Sequence, residues 1–318
     1  MKITVLDGYA LNPGDLSWEG FEKLGDLTVY ERTAQEDLIE RAKDSEAIIV
    51  NKALLDSETL RKLPKLKYIG VTATGYNIVD VETAKDLGIA VTNIPAYSTM
   101  SVAQHVFALL LSVTDHSEHY SVEVSNGRWN ESRDFCFWDT PLIELAGKKF
   151  GIMGMGNIGT AVSKIALAFG MEVLAYTSKD ASELPNGVTK VSIEQLMSDS
   201  DIISLHCPLT HSTKQIINKH TISRMKPGVI LINTGRGLLV DEKDVAEGLK
   251  SGKIRAYCAD VLSNEPPLSD NPLVGAPNAY ITPHIAWATK EARTRLMDIS
   301  VSNLRHFLEG VPTNVVNL

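Results

Sequence analysis

Cysteine is scarce in this chain, and the three present, Cys136, Cys207 and Cys258, are odd in number and far apart. That excludes a disulfide framework and any CxxC metal spacing, and it suits a reducing compartment. A surplus of positive charge is also missing. The formal net charge is -8, which argues against a nucleic-acid footprint and leaves small anionic substrates to be admitted by local charge. No apolar run is long enough to span a bilayer. The most apolar helical stretch, Val106 to Val113, is bracketed by Gln104, His105, Asp115 and His116. The opening Met1-Lys2-Ile3-Thr4-Val5-Leu6-Asp7 reads as a strand and not as a signal peptide, because Asp7 interrupts any apolar core. These absences predict a soluble, cytoplasmic protein without membrane or nucleic-acid partners. His116 and His119 stand three apart on a predicted helix, but further ligands for a metal are missing, so a solvated or interface face is expected.

What is present is regular. At 318 residues the chain suits two domains, and 44% hydrophobic with 22% charged residues are ordinary globular values. Short apolar runs alternate with amphipathic stretches. Strands are predicted at Ile3–Leu6, Leu27–Tyr30, Ala47–Val50, Tyr68–Val71 and Ala90–Thr92, with helices between them such as Asp56–Leu63 and Val79–Leu87. The pattern restarts at Lys149–Met153 and continues at Glu172–Tyr176, Ile202–Leu205, Val229–Ile232, Arg255–Ala259 and Tyr280–Thr282. Continuous apolar strands alternating with helices imply parallel sheets covered on both faces, hence an α/β protein of two doubly wound domains. A long helix is expected from Ser101 to about Tyr120, and another from Thr289 to Leu308 after the second sheet is complete. That last helix is read as returning to the first domain. The expected boundaries are 1–99 with 287–318 for one domain and 100–286 for the other.

The second unit opens with Gly154-Met155-Gly156-Asn157-Ile158-Gly159, between a strand and a helix whose Ile158, Val162, Ile165 and Phe169 can form one face. In that context Gly154 permits a tight turn, Gly156 lets backbone approach a pyrophosphate, and Gly159 lets helix pack on strand. The helix N-terminus offers N–H donors to phosphate. About 20 residues on, an acid normally binds the adenosine ribose, yet the strand Glu172–Tyr176 ends in Thr177-Ser178-Lys179. The absence of a carboxylate removes the repulsion of a 2′-phosphate, so NAD and NADP both stand as cofactors.

Three polar groups follow later strands. Arg236 lies between Gly235 and Gly237 after Val229–Ile232, and a guanidinium there can grip a carboxylate or polarise a carbonyl. Asp260 ends the next strand, where it could accept from a nicotinamide carboxamide, and Glu265 is held before Pro266 and Pro267. His284 follows the last strand. A carboxylate on one imidazole nitrogen leaves the other to exchange a proton with substrate. Cation, acid and imidazole together suit hydride transfer to or from a carboxylate-bearing substrate. Trp138, in the loop before the glycine turn, is read as core packing, and Cys207 as a small neighbour of the cofactor.

These segments, with His206-Cys207-Pro208-Leu209-Thr210 and Pro283-His284-Ile285-Ala286-Trp287, resemble the D-isomer-specific 2-hydroxyacid dehydrogenases over nearly the whole chain. The resemblance implies a flavodoxin-like substrate domain and a Rossmann cofactor domain, with Arg236 on substrate, His284 as acid/base and Glu265 orienting it. It places Cys207, Pro208 and Thr234 against the cofactor and Thr74 and Gly75 on the substrate carboxylate, and it implies a homodimer. Leu6–Trp18, Phe137–Pro141 and His284–Glu291 look like the glycerate dehydrogenase (hydroxypyruvate reductase) branch of that family. A broader 2-ketoacid reductase or D-lactate dehydrogenase, and an NAD(H)-sensing corepressor on the same fold, stay open as alternatives. The sequence departs from the family at Gln104, where Val-Ala-Glu-His is usual, and at Thr177, where Asp is usual. At Gln104 a packing or hydrogen-bond change is expected.

Overall fold

Apolar runs such as Ala47-Ile48-Ile49-Val50 have no polar side to offer water, so they form strands covered on both faces. In the computed structural model, which describes residues 1–317, they are sorted into two units, Met1–Ser98 with Ala288–Leu318 and Thr99–Trp287. The first unit holds β1 (Lys2–Val5), β2 (Asp26–Val29), β3 (Ala47–Val50), β4 (Tyr68–Val71) and β5 (Ala90–Thr92). They pair in parallel in the order β2-β1-β3-β4-β5. The strand order reverses between β1 and β3, where such sheets usually open a ligand crevice. Here Asp7 fills that role from within. Its carboxylate accepts from the backbone N–H groups of Asn51 (2.7 Å), Lys52 (2.5 Å) and Ala53 (3.0 Å).

The helix Lys290–Leu308 belongs to this first unit. Thr289 caps it by accepting from Ala292 N–H at 3.3 Å, and Phe307 packs on Tyr68 with ring centroids 5.0 Å apart. Arg293 is buried and grips Asp15 through two nitrogens at 2.6 and 2.7 Å. Hydrogen bonding from that guanidinium holds the Asp15 carboxyl below its ordinary range.

The second unit holds β6 (Lys149–Met153), β7 (Glu172–Tyr176), β8 (Val188–Lys190), β9 (Ile202–Leu205), β10 (Val229–Asn233), β11 (Ile254–Ala259) and β12 (Ala279–Ile281). All pairs are parallel, in the order β12-β11-β10-β9-β6-β7-β8. The reversal now falls between β6 and β9, so the turns after these two strands flank the crevice. On one face the helices Thr99–Thr114 and Asn157–Ala168 cover the sheet, with Phe107 stacked on Phe150 at 5.8 Å. On the other, Leu196, Ile222, Leu239 and Val245 pack on Ile203, Leu231 and Tyr257.

Two expectations need correction, and one element went unread. The helix read as continuous from Ser101 to Tyr120 is two helices, Thr99–Thr114 and Ser117–Ser125. They are separated at His116, whose φ of 50° cannot continue a right-handed helix. Trp138 is 64% exposed and no part of a core. A polar, aromatic-rich segment gives no periodicity from which its exposure could be read. Val188–Lys190 forms the edge strand β8, which its short and mostly polar sequence hides. The glycine-turn helix buries Gly159, Val162, Ser163 and Ala166, while Phe169 ends exposed though stacked on Phe107.

Candidate active site

The glycine turn sits between β6 and the helix Asn157–Ala168. Gly154 has φ +94°, and a Cβ on it would lie 2.6 Å from the Cys207 amide nitrogen, so only glycine allows the turns after β6 and β9 to touch. A Cβ on Gly159 would fall on the Gly154 carbonyl. Gly156 is different. It is exposed, nothing lies within 4 Å of its Cβ position, and it offers no side-chain cap to the first-turn N–H groups. Its open space is on the outside of the turn, where a phosphate would approach. Asn157 is exposed and Ile158 half-buried at the helix start.

The other expected cofactor positions lie at the same end of the sheet. Thr177 follows β7 directly, and its Oγ1 accepts from Lys179 N–H at 3.2 Å. Lys190 on β8 reaches back to donate to the Lys179 carbonyl at 2.6 Å. Cys207 and Pro208 follow β9, and burial pushes the Cys207 thiol up. His206 Nε2 is 2.8 Å from Ser204 Oγ, and burial pushes its imidazole down to about 4, so it is neutral at ordinary pH. Thr234 follows β10 with a buried Oγ1 that has no hydrogen-bond partner. An orphaned hydroxyl, an uncapped helix start and an open glycine turn at one sheet edge fit a dinucleotide.

β10, β11 and β12 deliver the three chemical groups. Arg236 follows β10, exposed, with Nη1 donating to its neighbour's carbonyl, Gly235 O, at 2.8 Å. Its turn is shaped by buried Asn233, which accepts from Gly235 N–H (3.1 Å) and donates to Arg236 O (2.9 Å). A Cβ on Gly237 would strike the Leu262 carbonyl group, so this turn packs backbone to backbone on the loop after β11. That loop carries Glu265, joined to Pro266 by a cis peptide bond. Glu242 anchors it by accepting from Ser263 N–H and Oγ, both at 2.8 Å, and from Asn271 Nδ2 at 2.9 Å.

Glu265 Oε2 lies 2.5 Å from His284 Nδ1, while its Oε1 accepts from Leu262 N–H at 3.1 Å. The carboxylate is therefore fixed at both ends. A carboxylate on Nδ1 makes that nitrogen the donor and leaves Nε2 to face a reactant. Both side chains are about one-third exposed. Glu265, His284, Pro266, Pro267 and Ile281 line one cavity of about 480 Å³.

His284 has φ +55°, an unusual conformation for a residue with a Cβ. Asp260 holds the segment that follows it. Only 1% exposed, it accepts from Thr282 Oγ1 (2.6 Å) and Ile285 N–H (2.8 Å) at Oδ1, and from Ala286 N–H (2.7 Å) at Oδ2. Trp287 Nε1 closes the turn by donating to His284 O at 2.9 Å. Asp260, expected from sequence to accept from a nicotinamide carboxamide, spends its carboxylate here on Thr282, Ile285 and Ala286, as a clamp on the segment after His284. Asn233, Glu242 and Thr282 escaped the sequence reading. Their one signal is a polar residue ending or adjoining an apolar run, and that is too common to select them.

In the first unit, Thr74 and Gly75 lie in the turn after β4. Thr74 Oγ1 donates to Ile94 O at 2.9 Å, and its carbonyl accepts from Asn93 Nδ2 at 2.8 Å. Gln104 is exposed on the helix Thr99–Thr114. His119 pairs with Asp139 at 2.8 Å. Among the described residues, no three His, Cys, Asp or Glu side chains are grouped to hold a metal, and no helix is long and apolar enough to cross a membrane.

Residues 107–286 match the family described as D-isomer specific 2-hydroxyacid dehydrogenase, NAD binding domain. The chain is 52% identical over 321 residues to a hydroxypyruvate reductase of Blautia hydrogenotrophica, covering 100% of both. It is 39% identical to a glycerate dehydrogenase of Methylorubrum extorquens, over 99% of this chain and 98% of that one. Among solved structures it resembles the D-lactate dehydrogenase from Aquifex aeolicus complexed with NAD and lactic acid. The TM-score there is 0.86 at 31% identity, over 100% of this chain and 99% of the other.

Proposed function

We propose that this chain, which belongs to the D-isomer specific 2-hydroxyacid dehydrogenases, reversibly reduces hydroxypyruvate to D-glycerate, with glyoxylate as a secondary substrate. The observation that carries the reading is the His284–Glu265 pair at 2.5 Å, set two strands from the turn that presents Arg236. The names and full-length coverage of the two curated relatives support the substrate class.

A bound nicotinamide dinucleotide supplies or takes up the hydride. Gly154–Gly159, Thr177, Cys207, Pro208 and Thr234 would hold it, with Asp260 near the nicotinamide end. Arg236 grips the 2-oxoacid through paired N–H donors. In reduction, doubly protonated His284 gives its Nε2 proton to the carbonyl oxygen. In oxidation, neutral His284 takes the hydroxyl proton. Glu265 stabilises the imidazolium in both directions and keeps the ring from turning. Thr74 and Gly75 complete the proposal as binders of the substrate carboxylate.

The end of β7 supports use of both NADH and NADPH. No carboxylate directly follows β7 to repel a 2′-phosphate, and a Thr177 hydroxyl and a Lys179 ammonium at that strand end would donate to one. Val122, Trp129, Phe135, Trp138 and Leu142 are all at least half exposed within the second unit. An apolar surface of that kind supports the homodimer, which light scattering would test. The three free cysteines fit a cytoplasmic location.

The deciding experiment follows NADH and NADPH oxidation with hydroxypyruvate, glyoxylate, pyruvate and 3-phosphohydroxypyruvate. Hydroxypyruvate turnover well above that of pyruvate is expected. Comparable pyruvate turnover would replace the assignment with a broader 2-ketoacid reductase, and no turnover of any would leave a binding protein. His284→Ala should slow turnover far more than it weakens cofactor binding. Arg236→Ala should raise KM and lower kcat together, because Arg236 holds both ground and transition states.

A further inference from the structure

His105 lies on the helix Thr99–Thr114, in the same unit as the catalytic pair, and its side chain is only 18% exposed. Its Nε2 is 2.9 Å from Thr282 Oγ1 and 3.6 Å from Asp260 Oδ1. The second distance is too long for a hydrogen bond, so the contact that matters is with threonine. The direction of that bond can be worked out. Thr282 has one hydroxyl proton, and its shortest acceptor is Asp260 Oδ1 at 2.6 Å, against 3.4 Å for Ala259 O. With the proton committed there, Thr282 Oγ1 can only accept from His105, and His105 carries its proton on Nε2. The chain of donors runs from His105 to Thr282 to Asp260. From the far side, Asp260 receives Ile285 N–H and Ala286 N–H.

Those two amides immediately follow His284, whose φ of +55° is unfavourable for a residue with a Cβ. Such a conformation persists only where the surroundings over-determine it. We propose that His105 is a positioning residue for the acid/base histidine. By donating to Thr282 it keeps the threonine proton aimed at Asp260, and Asp260 in turn holds the backbone that aims His284. This inference rests on the reading of His284 as the proton-transferring group. In this reading His105 acts through Thr282 and Asp260 and not on the reacting atoms.

The test is a double-mutant cycle on the full chain, with hydroxypyruvate and NADH. His105→Leu removes the donor and Thr282→Val removes the relay. Each should lower kcat about tenfold while the KM for both substrates changes less than threefold, because the glycine turn and Arg236 are held by other strands. The double variant should be no slower than the slower single variant, since both break one chain. His105→Gln, whose amide can place an N–H near the same point, should recover most of kcat, and so should Thr282→Ser. If His105→Leu does not fold, His105→Asn, which ends short of Thr282, takes its place. Wild-type kcat in the donor-less variant, multiplied losses in the double variant, or no recovery with glutamine would each overturn the proposal. His284→Ala is measured alongside. Wild-type turnover there removes the acid/base reading itself, whereas an inactive His284→Ala beside an unaffected His105 variant removes only the role of His105.

Discussion

Asp260→Asn changes one atom in the clamp behind His284, and its cost can be worked from three hydrogen bonds. The carboxylate accepts twice at Oδ1 and once at Oδ2. An amide has one accepting end. With its NH₂ at the Oδ2 position, it opposes the Ala286 N–H. Turned over, it opposes the Ile285 N–H, and Thr282 must also redirect its hydroxyl. Either way a buried or partly buried backbone donor loses its acceptor and a charge-assisted bond is gone. A lost bond to a charged group costs ~1.5–3 kcal/mol and an unsatisfied buried donor ~1–3 kcal/mol, so a total of about 4 kcal/mol is expected. For a domain the size of Thr99–Trp287, that corresponds to a fall in melting temperature of roughly 10 °C. Turnover should fall about tenfold or more, since sub-ångström misplacement of a catalytic group has effects of that order. Calorimetry, steady-state kinetics and amide exchange at Ile285 and Ala286 measure the three consequences. Unchanged melting and unchanged exchange at those two amides would refute the claim that this carboxylate holds the segment.

The two glycines of the turn should part company. Gly156→Ala should keep the wild-type melting temperature yet weaken cofactor binding at least tenfold, because its Cβ enters open space where phosphate approaches. Gly154→Ala should lower both, because φ +94° and the 2.6 Å approach to Cys207 forbid a side chain. Calorimetry and cofactor titration separate them. Thr177→Asp should lower kcat/KM with NADPH more than tenfold while sparing NADH, and equal loss with both would remove Thr177 from cofactor choice. The His206 imidazole is held down to about 4 against an ordinary unfolded value of about 6.5. The unfolded chain therefore binds the extra proton between those values, and stability is lost as pH falls from about 6.5 toward 4. Between pH 7.5 and 4.5 this group should remove about 2 kcal/mol. His206→Gln should lose less than wild type by that amount in urea unfolding, and parallel losses would contradict the burial argument.

Much of this was legible from the chain alone because its signals are local. β3, β4, β5, β7 and β9 coincide with apolar runs read from sequence, since a strand buried on both faces must be continuously apolar. The glycine turn was legible because strand, turn and helix are contiguous. Arg236, Glu265 and His284 stood out because each follows such a run. The clamp behind them was not legible. Asp260, Thr282 and His105 come from β11, the end of β12 and a helix more than 150 residues earlier in the chain. Asp260 is marked by its place at a strand end, but nothing local marks Thr282 and His105 or shows that the three meet once the sheet is assembled. In the Ser101–Tyr120 segment Gln104 stands out as a departure from the family yet is exposed, whereas its neighbour His105 carries no local signal. The break at His116 was missed for a related reason, because a left-handed residue other than glycine has no composition signal.

The helix Lys290–Leu308 gives the two units different histories during synthesis. Residues Thr99–Trp287 are continuous, so that unit has all its strands once its last one leaves the ribosome. The first unit has made five strands by Thr92, but it waits for more than two hundred further residues before Phe307 can cover Tyr68 and Arg293 can meet Asp15. Vectorial synthesis, which ordinarily lets the N-terminal part fold first, is here reversed in order of completion. The sheet made earliest is finished last, with part of its apolar face uncovered in the interval. Pausing or truncation before residue 290 would therefore expose the first unit to aggregation while leaving the second able to close.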